Sequence, residues 1–257
     1  MQVLGIDVGG TGIKGALVDT ETGHLVTERY RLLTPQGARP KPVAETVGKV
    51  VEHFEWHGAI GCGFPAVVKD GTVYTAANIS RRWIGYNVRE AFADITGCDV
   101  AVMNDADVAG LAEMRFGAGR GVDGTVLIVT LGTGIGTAMF VDGHLVPNLE
   151  LGHIEIRGKD AETRATDGVR KEKGLSWEAW GSRVNEYLQT IDRLLWPDLI
   201  IVGGGASKSW DKFSPYLDVR ASVVPAGMLN EAGIVGAALA TLTIGSATVK
   251  SGGGRRG

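Results

Sequence analysis

A glycine-rich turn between two apolar runs occurs twice in this sequence. The string Gly-Thr-Gly-Ile stands at residues 10–13 and again at 132–135, each time after one apolar run and before another. Each copy continues to an aspartate and then to Gly-His-Leu-Val, at residues 23–26 and 143–146. A strand, a glycine turn and a second strand, present twice, predict a chain built of two related halves.

The two turns suit the binding of a phosphate chain, because glycines let backbone amides come close to an anion and threonine hydroxyls add donors. One such turn alone would also fit an ordinary tight hairpin, but the matched flanks favour the phosphate interpretation. A third glycine turn follows the apolar strand at 198–202, where tight packing of a strand on a helix is an equally good explanation. The predicted donor-binding residues are Asp7, Gly9, Gly10, Thr11, Gly12, Lys14, Gly132, Thr133, Gly134, Gly204, Gly205 and Lys208.

The composition excludes several classes of protein. The chain of 257 residues can form one large domain or two lobes, and no window is apolar enough for a membrane helix. A formal net charge of −3 disfavours general binding to nucleic acid. The two cysteines, Cys62 and Cys98, lie in apolar contexts, and the N-terminus enters a predicted strand without a signal peptide. We therefore expect a cytoplasmic protein with buried, free thiols.

Alternating strands and helices predict an α/β fold with a mixed sheet in each of two lobes. We expect an N-terminal lobe over 1–110 and a C-terminal lobe over 111–245, with the last helix able to pack back on the N-terminal lobe. Residues 246–257, mainly glycine, serine and arginine, are expected to form a disordered tail. Helices are predicted over 87–96, 105–116, 176–196 and after Asn230, and strands at about 2–8, 13–18, 24–31, 59–63, 67–75, 99–103, 124–130, 135–141, 153–156 and 198–202.

Asn104 and Asp105 end an apolar strand and open the next predicted helix. This position lies at the rim of a sheet, where α/β proteins place ligands, and the helix N-terminus favours a charged carboxylate. An ionised Asp105 can accept the proton of a sugar hydroxyl while that oxygen attacks phosphorus. The alternative is that Asp105 and Asp107 are only helix caps, which is the interpretation we favour for Asp107.

Polar residues alternate with apolar or small ones over residues 150–156. Glu150 and His153 can exchange hydrogen bonds with neighbouring hydroxyls of a sugar, and Glu155 shares the predicted polar face of the strand. A half-exposed strand with a polar outer face is the alternative, and for Glu155 it is nearly as well supported. Asn78 is a weaker candidate for the opposite wall of the same pocket.

Together these motifs resemble those of the ROK family of sugar kinases, within the actin-like ATPase superfold, over nearly the whole chain. Residues 7–11 are similar to the family's first phosphate turn and residues 131–136 to its second. Asn104-Asp105 resembles the sugar-binding Asn and the catalytic Asp, and residues 150–153 resemble the Glu-x-Gly-His sugar motif. Transcriptional repressors of this family are disfavoured, because they carry an N-terminal helix-turn-helix and this sequence begins with the first strand.

The sequence departs from the family at its zinc site. Typical ROK kinases follow the motif histidine with a cysteine cluster that binds structural zinc, but residues 157–175 contain no cysteine, so we expect no zinc. His153 is then left for sugar contact alone. The glutamate that the cluster supplies must come from elsewhere, and the sequence does not place it. Within the family, this departure resembles the polyphosphate glucokinases.

The resemblance implies a glucokinase that transfers a phosphoryl group from inorganic polyphosphate, with ATP as a further donor, to the 6-hydroxyl of glucose. Mg²⁺ is the implied cofactor, oriented through water by Asp7. The implied base is Asp105, and the implied glucose ligands, between the lobes, are Asn78, Asn104, Asp105, Glu150, His153 and Glu155.

Three expectations about partners accompany this interpretation. A polymeric phosphate needs a path of cations, for which the candidates are Lys208, Lys212 and the basic residues between 157 and 173, with a solvated mixed-charge loop as the alternative. The apolar helix around 234–238 and family habit favour a homodimer. A strictly ATP-dependent ROK hexokinase and a non-catalytic sugar sensor are the other functions left open.

Overall fold

A computed structural model describes residues 1–77 and 79–244 of the chain. The prediction for Asn78 and the tail predicted over 246–257 lie outside the described residues. The helices are α1 (Pro40–His53), α2 (Val88–Thr96), α3 (Asp105–Phe116), α4 (Glu162–Ala165), α5 (Asp167–Glu172), α6 (Trp177–Leu195), α7 (Trp210–Phe213) and α8 (Ala232–Ile244). The strands are β1 (Gln2–Val8), β2 (Ile13–Asp19), β3 (Tyr30–Leu32), β4 (Ile60–Phe64), β5 (Val68–Lys69), β6 (Thr72–Val73), β7 (Val100–Asn104), β8 (Thr125–Leu131), β9 (Ile135–Val141), β10 (His144–Val146), β11 (Glu155–Ile156), β12 (Lys159–Asp160), β13 (Leu199–Gly203) and β14 (Ser222–Pro225).

The chain divides into two compact units. Unit 1 comprises Met1–Ala109 and the chain from Gly233 onward, and unit 2 comprises Gly110–Ala232. Each unit contains a five-stranded sheet, in the order β3-β2-β1-β4-β7 in unit 1 and β10-β9-β8-β13-β14 in unit 2. In both sheets an antiparallel hairpin crosses the glycine turn, and two further strands run parallel to its first strand. The predicted duplication and the mixed sheets are confirmed.

The repeat extends to the Gly-His-Leu-Val strings, but the strand predicted over 24–31 is wrong in its extent. Leu25 forms a single bridge with Val18, as Leu145 pairs with Phe140 in unit 2. The strand does not continue, because the Leu17 amide donates to the side-chain oxygen of Thr27, at 3.1 Å, instead of to a backbone carbonyl. Regular pairing resumes only at β3.

The sheet of unit 1 is covered on one face by α1 and α2 and approached on the other by α8. Leu4, Ile6 and Val8 of β1 point into an apolar core with buried side chains of α1 and α2. The alternate residue Gly5 meets the backbone of α8, where an added Cβ would collide with the Ile234 carbonyl. Gly61 of β4 leaves room in the same way for the Ala237 carbonyl.

This packing corrects the reasoning behind the predicted homodimer. The apolar residues Ile234, Val235 and Ala238 are buried within unit 1, and Gly236 lies against the carbonyl of Val108 on α3. The apolar character of α8 is therefore explained by contacts inside one chain. It does not indicate an interface between two chains.

The sheet of unit 2 has a core on each face, as the alternation along β8 requires. Leu127 and Val129 pack with buried residues of α6, including Trp180. Val126 and Ile128 pack on the opposite face with side chains that include residues of α3. This arrangement fixes the end of β8, from which the second glycine turn projects.

The local signals at the ends of helices and hairpins are confirmed. Asn87 caps α2 by accepting the Glu90 N–H at 3.1 Å, Gly97 ends that helix with a φ of 68°, and Ser176 caps α6. Asp-Gly pairs with positive φ close the β5–β6 and β9–β10 hairpins. Cys62 and Cys98 are free and buried, as expected. No helix in the described part of the chain is both long enough and apolar enough to cross a membrane.

Candidate active site

The conformation of the first glycine turn, between β1 and β2, is fixed by one backbone hydrogen bond and by the hydroxyl of one threonine. The Gly9 amide donates to the Gly12 carbonyl at 3.0 Å, and the Thr34 hydroxyl donates to the Gly9 carbonyl at 2.5 Å. Gly10 and Thr11 are exposed, and their amides donate to no other described residue. A turn with exposed, unused N–H groups is suited to an anion.

Asp7 and Lys14 lie directly beside this turn. They are register partners on β1 and β2, and Lys14 Nζ is 3.1 Å from Asp7 Oδ2. Gly233, next to the start of α8, lies against the same carboxylate. The predicted donor residues of unit 1 are thus brought together at one end of its sheet, with the charge of Lys14 already matched by Asp7.

Asn104 and Asp105 stand at the junction of β7 and α3. The buried Asn104 caps the helix, because its Oδ1 accepts from the amides of Ala106 at 2.9 Å and Asp107 at 3.2 Å. Its Nδ2 donates to the Ala66 carbonyl at 3.1 Å. Asn104 therefore caps α3. Asp105 is the half-buried first residue of the helix.

The second and third glycine turns lie next to each other in unit 2. They follow β8 and β13, which are parallel neighbours, so both turns leave the same edge of the sheet. Gly204, with a φ of 75°, packs on the backbone of Leu131, where a Cβ would not fit. The second turn is also tied to the start of α5, since the Gly168 amide donates to the Gly132 carbonyl at 3.2 Å.

A short helical segment follows the third turn. Gly205–Ser209 form a 3-10 turn that leads into the single-turn helix α7. Lys208 lies on this turn with an exposed side chain and has no ion-pair partner among the described residues. The predicted donor residues of unit 2 are therefore close together, in two adjacent turns.

The strand predicted at about 153–156 is shorter than expected, and the alternating residues before it do not extend it. Leu151–His153 form a 3-10 turn, and only Glu155–Ile156 form a strand, β11, paired with β12. The cause is Thr137 of β9, whose hydroxyl donates to the Leu149 carbonyl at 2.9 Å and accepts from the Leu151 amide at 3.2 Å. One side chain thus replaces the backbone partners that a strand would need.

The turn brings Glu150 and His153 together with two acidic residues that sequence reasoning did not select. His153 Nε2 is 3.6 Å from Glu150 Oε2, and its Nδ1 is 3.0 Å from Asp160 Oδ2. Glu162 Oε2 accepts the amide of Ile135, the first residue of β9, at 3.3 Å. We call Glu150, His153, Asp160 and Glu162 the Glu150 cluster. Glu155 is exposed on β11 and takes no part in these contacts.

The pKa values of Glu150 and His153 are both raised in this cluster. Burial raises the pKa of Glu150, and the charge of Glu162 raises it further, while His153 opposes the shift. The hydrogen bond to Asp160 raises the pKa of His153 against the effect of burial, and the charges of Glu162 and Glu150 add to the rise. The cluster therefore favours a protonated His153, which can donate hydrogen bonds from both ring nitrogens.

Glu162 is a candidate for the glutamate that the sequence could not place. It lies in the segment that stands where the family has its zinc cluster, and it opens α4. Several carboxylates occur between 155 and 172, and no sequence pattern separates this one from the others. In the structure Glu162 is distinguished from the other carboxylates by its hydrogen bond to the amide of Ile135, directly after the second glycine turn. Among the described residues, no group of three or more His, Cys, Asp or Glu side chains could hold a metal ion.

Four of the six basic residues between 157 and 173 form ion pairs with acidic neighbours, two cations to each carboxylate. Arg157 and Arg164 both pair with Glu186, at 2.6 and 2.9 Å. Arg170 and Lys171 both pair with Asp167, at 2.9 and 2.6 Å. The mixed-charge interpretation therefore describes this segment better than a continuous track of cations.

Two related sheets, each with a phosphate-type turn between its first two strands, define an actin-like ATPase fold. The predicted fold is thereby confirmed. The model of the ROK family matches residues 3–171, and the chain belongs to this family.

Relatives and solved structures extend the likeness over nearly the whole chain. The polyphosphate glucokinase of Mycobacterium tuberculosis (strain CDC 1551 / Oshkosh) is 49% identical over 239 residues, which are 93% of this chain and 90% of that protein. The inorganic polyphosphate/ATP-glucomannokinase of Arthrobacter sp. strain KM superposes with a TM-score of 0.91 at 47% identity, covering 94% of this chain and 99% of that one. A ROK family glucokinase from Streptomyces griseus, solved with glucose and AMPPNP, has a TM-score of 0.78 at 25% identity, covering 93% and 98%.

Proposed function

We propose that this chain is a polyphosphate glucokinase, which transfers the terminal phosphoryl group of inorganic polyphosphate to the 6-hydroxyl of glucose. The observation that carries the proposal is the position of the Glu150 cluster, which contacts the first residue after the second phosphate turn. In this proposal the cluster binds the sugar and the adjacent turn binds the donor phosphates, so acceptor and donor are bound side by side. The identity of 49% to a polyphosphate glucokinase over 93% of the chain supports the choice of donor and acceptor.

Glucose is bound, in this proposal, by hydrogen-bonding side chains. Unit 2 supplies Glu150, His153 and Glu162, whose carboxylates accept from hydroxyl groups while the imidazolium donates to them. Asp105 and Asn104 are proposed as ligands from the sequence pattern, and one Nδ2 proton of Asn104 remains for this role, since the other is used by the Ala66 carbonyl. Asn78 and Glu155 are proposed as further glucose ligands on the basis of the sequence alone.

Asp105 acts as the general base. Its carboxylate accepts the proton of the 6-hydroxyl as that oxygen forms a bond to the terminal phosphorus. The bond from this phosphorus to the bridging oxygen breaks, and the shortened polyphosphate leaves with the negative charge. The glycine-turn amides and Lys14 bind the phosphates of the donor, and the amides stabilise the charge that develops on the phosphoryl oxygens.

Asp7 fits the role of holding Mg²⁺ through water. A carboxylate oxygen is the ligand that Mg²⁺ prefers, and Asp7 Oδ1 remains when Oδ2 pairs with Lys14. When bound, the cation would screen the charges of the donor phosphates. ATP is a second donor in the proposal. The third turn and Lys208 lie beside the second turn, where the rest of a nucleotide or a longer phosphate chain can extend.

Two further proposals, a homodimer and a cytoplasmic location, are each supported by a single argument. A homodimer is supported by the family resemblance only, now that the apolar residues of α8 are explained by packing within unit 1. Sedimentation equilibrium measures it directly. A cytoplasmic location is supported by the two free, buried cysteines, which are typical of proteins in a reducing compartment.

Replacing Asp105 by Asn tests the mechanism. We expect Asp105→Asn to lower the rate of glucose 6-phosphate formation by about a hundredfold or more, since a general base contributes 10²–10⁴-fold. The fold and glucose binding should persist, because Asn104 supplies the cap of α3. The matched control is Asp94→Asn, which removes an exposed carboxylate from α2 of the same unit. Near-normal turnover in Asp105→Asn would overturn the role of this residue.

Parallel assays of the wild type with polyphosphate and with ATP test the donor. We expect glucose 6-phosphate from both, with polyphosphate as the better donor. Product from ATP alone would replace the proposal by an ATP-dependent ROK glucokinase. A folded protein that binds glucose and makes no product from either donor would be a sugar sensor.

A further inference from the structure

Three charged residues lie in a row across the hairpin strands of unit 1. Asp7 on β1 is the register partner of Lys14 on β2, and Lys14 is in turn the register partner of Arg31 on β3. Directly opposed residues of antiparallel strands point to the same face of a sheet, and like charges in such a pair are destabilising. Asp7 matches the charge of Lys14. Arg31 has no carboxylate partner among the residues that the structure describes.

The guanidinium of Arg31 lies on the first glycine turn. Its Nη2 donates to the Thr11 carbonyl at 3.2 Å. A Cβ on Gly12 would come within 2.5 Å of Arg31 Nε, so this glycine makes room for the guanidinium. A guanidinium carries five N–H donors in a planar fork, and the bond to Thr11 uses one of them. An unmatched, multiply donating cation is therefore held beside the exposed amides of Gly10 and Thr11.

The chemistry that would satisfy this arrangement is a chain of phosphates. Phosphate oxygens accept two parallel N–H bonds from one guanidinium, and each phosphate of such a chain carries negative charge. A single carboxylate or sugar hydroxyl would leave most of the donors unused. Lys14 and Arg31 are like charges in opposed positions on two strands, which is unfavourable without a ligand. An anion with several charges that lies across both residues makes this arrangement favourable.

We propose that Arg31 and Lys14 bind the non-transferred phosphates of the donor at the first glycine turn, an inference that rests on the proposed kinase function. Polyphosphate and nucleoside triphosphates share this chemistry. Arg31 contributes more to the use of polyphosphate, because a nucleotide also has its nucleoside to bind. The competing explanation is that Arg31 only holds the turn through the Thr11 carbonyl.

The variants Arg31→Gln and Arg31→Lys separate these explanations. The direct readout is calorimetric binding of sodium tripolyphosphate at two salt concentrations, and the second readout is the KM for polyphosphate, ATP and glucose. The matched control is Lys49→Gln, which removes one exposed positive charge from α1 in the same unit. Thermal unfolding of each variant verifies that the fold is retained.

We expect Arg31→Gln to weaken tripolyphosphate binding about tenfold, the effect of losing one charge-assisted contact, and to raise the KM for polyphosphate by a similar factor. The dependence of binding on salt should become shallower, because one cation fewer meets the phosphates. The KM for ATP should rise less, and the KM for glucose should stay unchanged. Arg31→Lys should keep part of the binding, since it keeps the charge but loses the fork.

Binding of tripolyphosphate to Arg31→Gln with wild-type affinity would overturn the inference. An equal loss of kcat with every donor, at unchanged tripolyphosphate binding, would also overturn it. That result is expected if Arg31 only holds the turn through the Thr11 carbonyl. If the wild type forms glucose 6-phosphate and Arg31→Gln behaves like Lys49→Gln, the kinase function stands and the inference fails. If tripolyphosphate binding depends on Arg31 but no product forms, the phosphate site stands and the kinase function fails.

Discussion

Glu162 offers the sharpest test of the sugar site, because the structure selects it and the sequence does not. The replacement Glu162→Gln keeps the length of the side chain and an oxygen that can accept the Ile135 amide, a bond of 3.3 Å in the wild type. The variant therefore removes the charge and spares the packing. Any loss of function can then be assigned to the carboxylate.

The expected magnitude follows from the difference between charged and neutral hydrogen bonds. A hydrogen bond to a charged group contributes about 1.5–3 kcal/mol and one between neutral groups about 0.5–1.5 kcal/mol, so the loss is about 1–1.5 kcal/mol. At 1.4 kcal/mol for each factor of ten, binding of glucose should weaken by about tenfold. The pKa of His153 should fall, because the charge of Glu162 contributes to its rise, and the pKa of Glu150 should fall for the same reason.

Initial rates over a range of glucose concentrations, at saturating polyphosphate, measure the first effect. Titration of the His153 ring by NMR measures the second without any need for activity. Glu172→Gln is the matched control, since it removes an exposed carboxylate from the neighbouring helix α5. A KM for glucose equal to that of the wild type would refute the assignment of Glu162 to the sugar. An unchanged titration of His153 would refute the electrostatic coupling.

Three further predictions concern packing and charge. Gly61→Ala should destabilise the protein by about 3 kcal/mol or more in urea unfolding, because the new Cβ would collide with the Ala237 carbonyl; wild-type stability would contradict this packing. Thr137→Val should lower the free energy of unfolding by about 1–3 kcal/mol and raise the KM for glucose, because both hydrogen bonds that hold the 3-10 turn at Leu151–His153 are lost. Thr137→Ser keeps the hydroxyl and should restore both properties. The pKa of His153 is raised on folding from its ordinary value of 6.5, so the stability that this residue contributes is present in full below pH 6.5 and is lost as the pH rises through the higher folded value. Urea unfolding of the wild type and His153→Gln from acid to alkaline pH measures this contribution. A stability difference in favour of the wild type that grew as the pH rose would contradict the prediction.

The features that the sequence predicts correctly depend on residues close together in the chain. Asn87 and Gly97 bound α2 because an asparagine side chain reaches the amide three residues on and a glycine accepts a positive φ. The Asp-Gly hairpins follow the same logic, as do the two glycine turns between their strands. Duplication of the pattern then made both sheets predictable, because each half repeats the order of the other.

The predictions that fail depend on a partner far away in sequence. Residues 150–153 alternate as a strand does, yet the hydroxyl of Thr137 turns them into a 3-10 turn. The apolar run in α8 is one ground for expecting a homodimer, and this ground is lost because Gly5 and Gly61 let the run pack on the sheet of unit 1. In each case the local pattern is real, and the contact that decides its meaning comes from another element.

The sequence alone determined which chemical groups are available: two glycine turns, a carboxylate at a helix N-terminus, a Glu-His pair and no cysteine between residues 157 and 175. The tertiary structure decided which charges meet. The sequence makes equal candidates of Arg157, Arg164, Arg170 and Lys171, but in the structure all four pair with Glu186 or Asp167. Arg31 has no carboxylate partner among the described residues and lies beside the first turn. The physical reason is that backbone turns are set by steric limits within a few residues, whereas electrostatic interactions depend on distance in space.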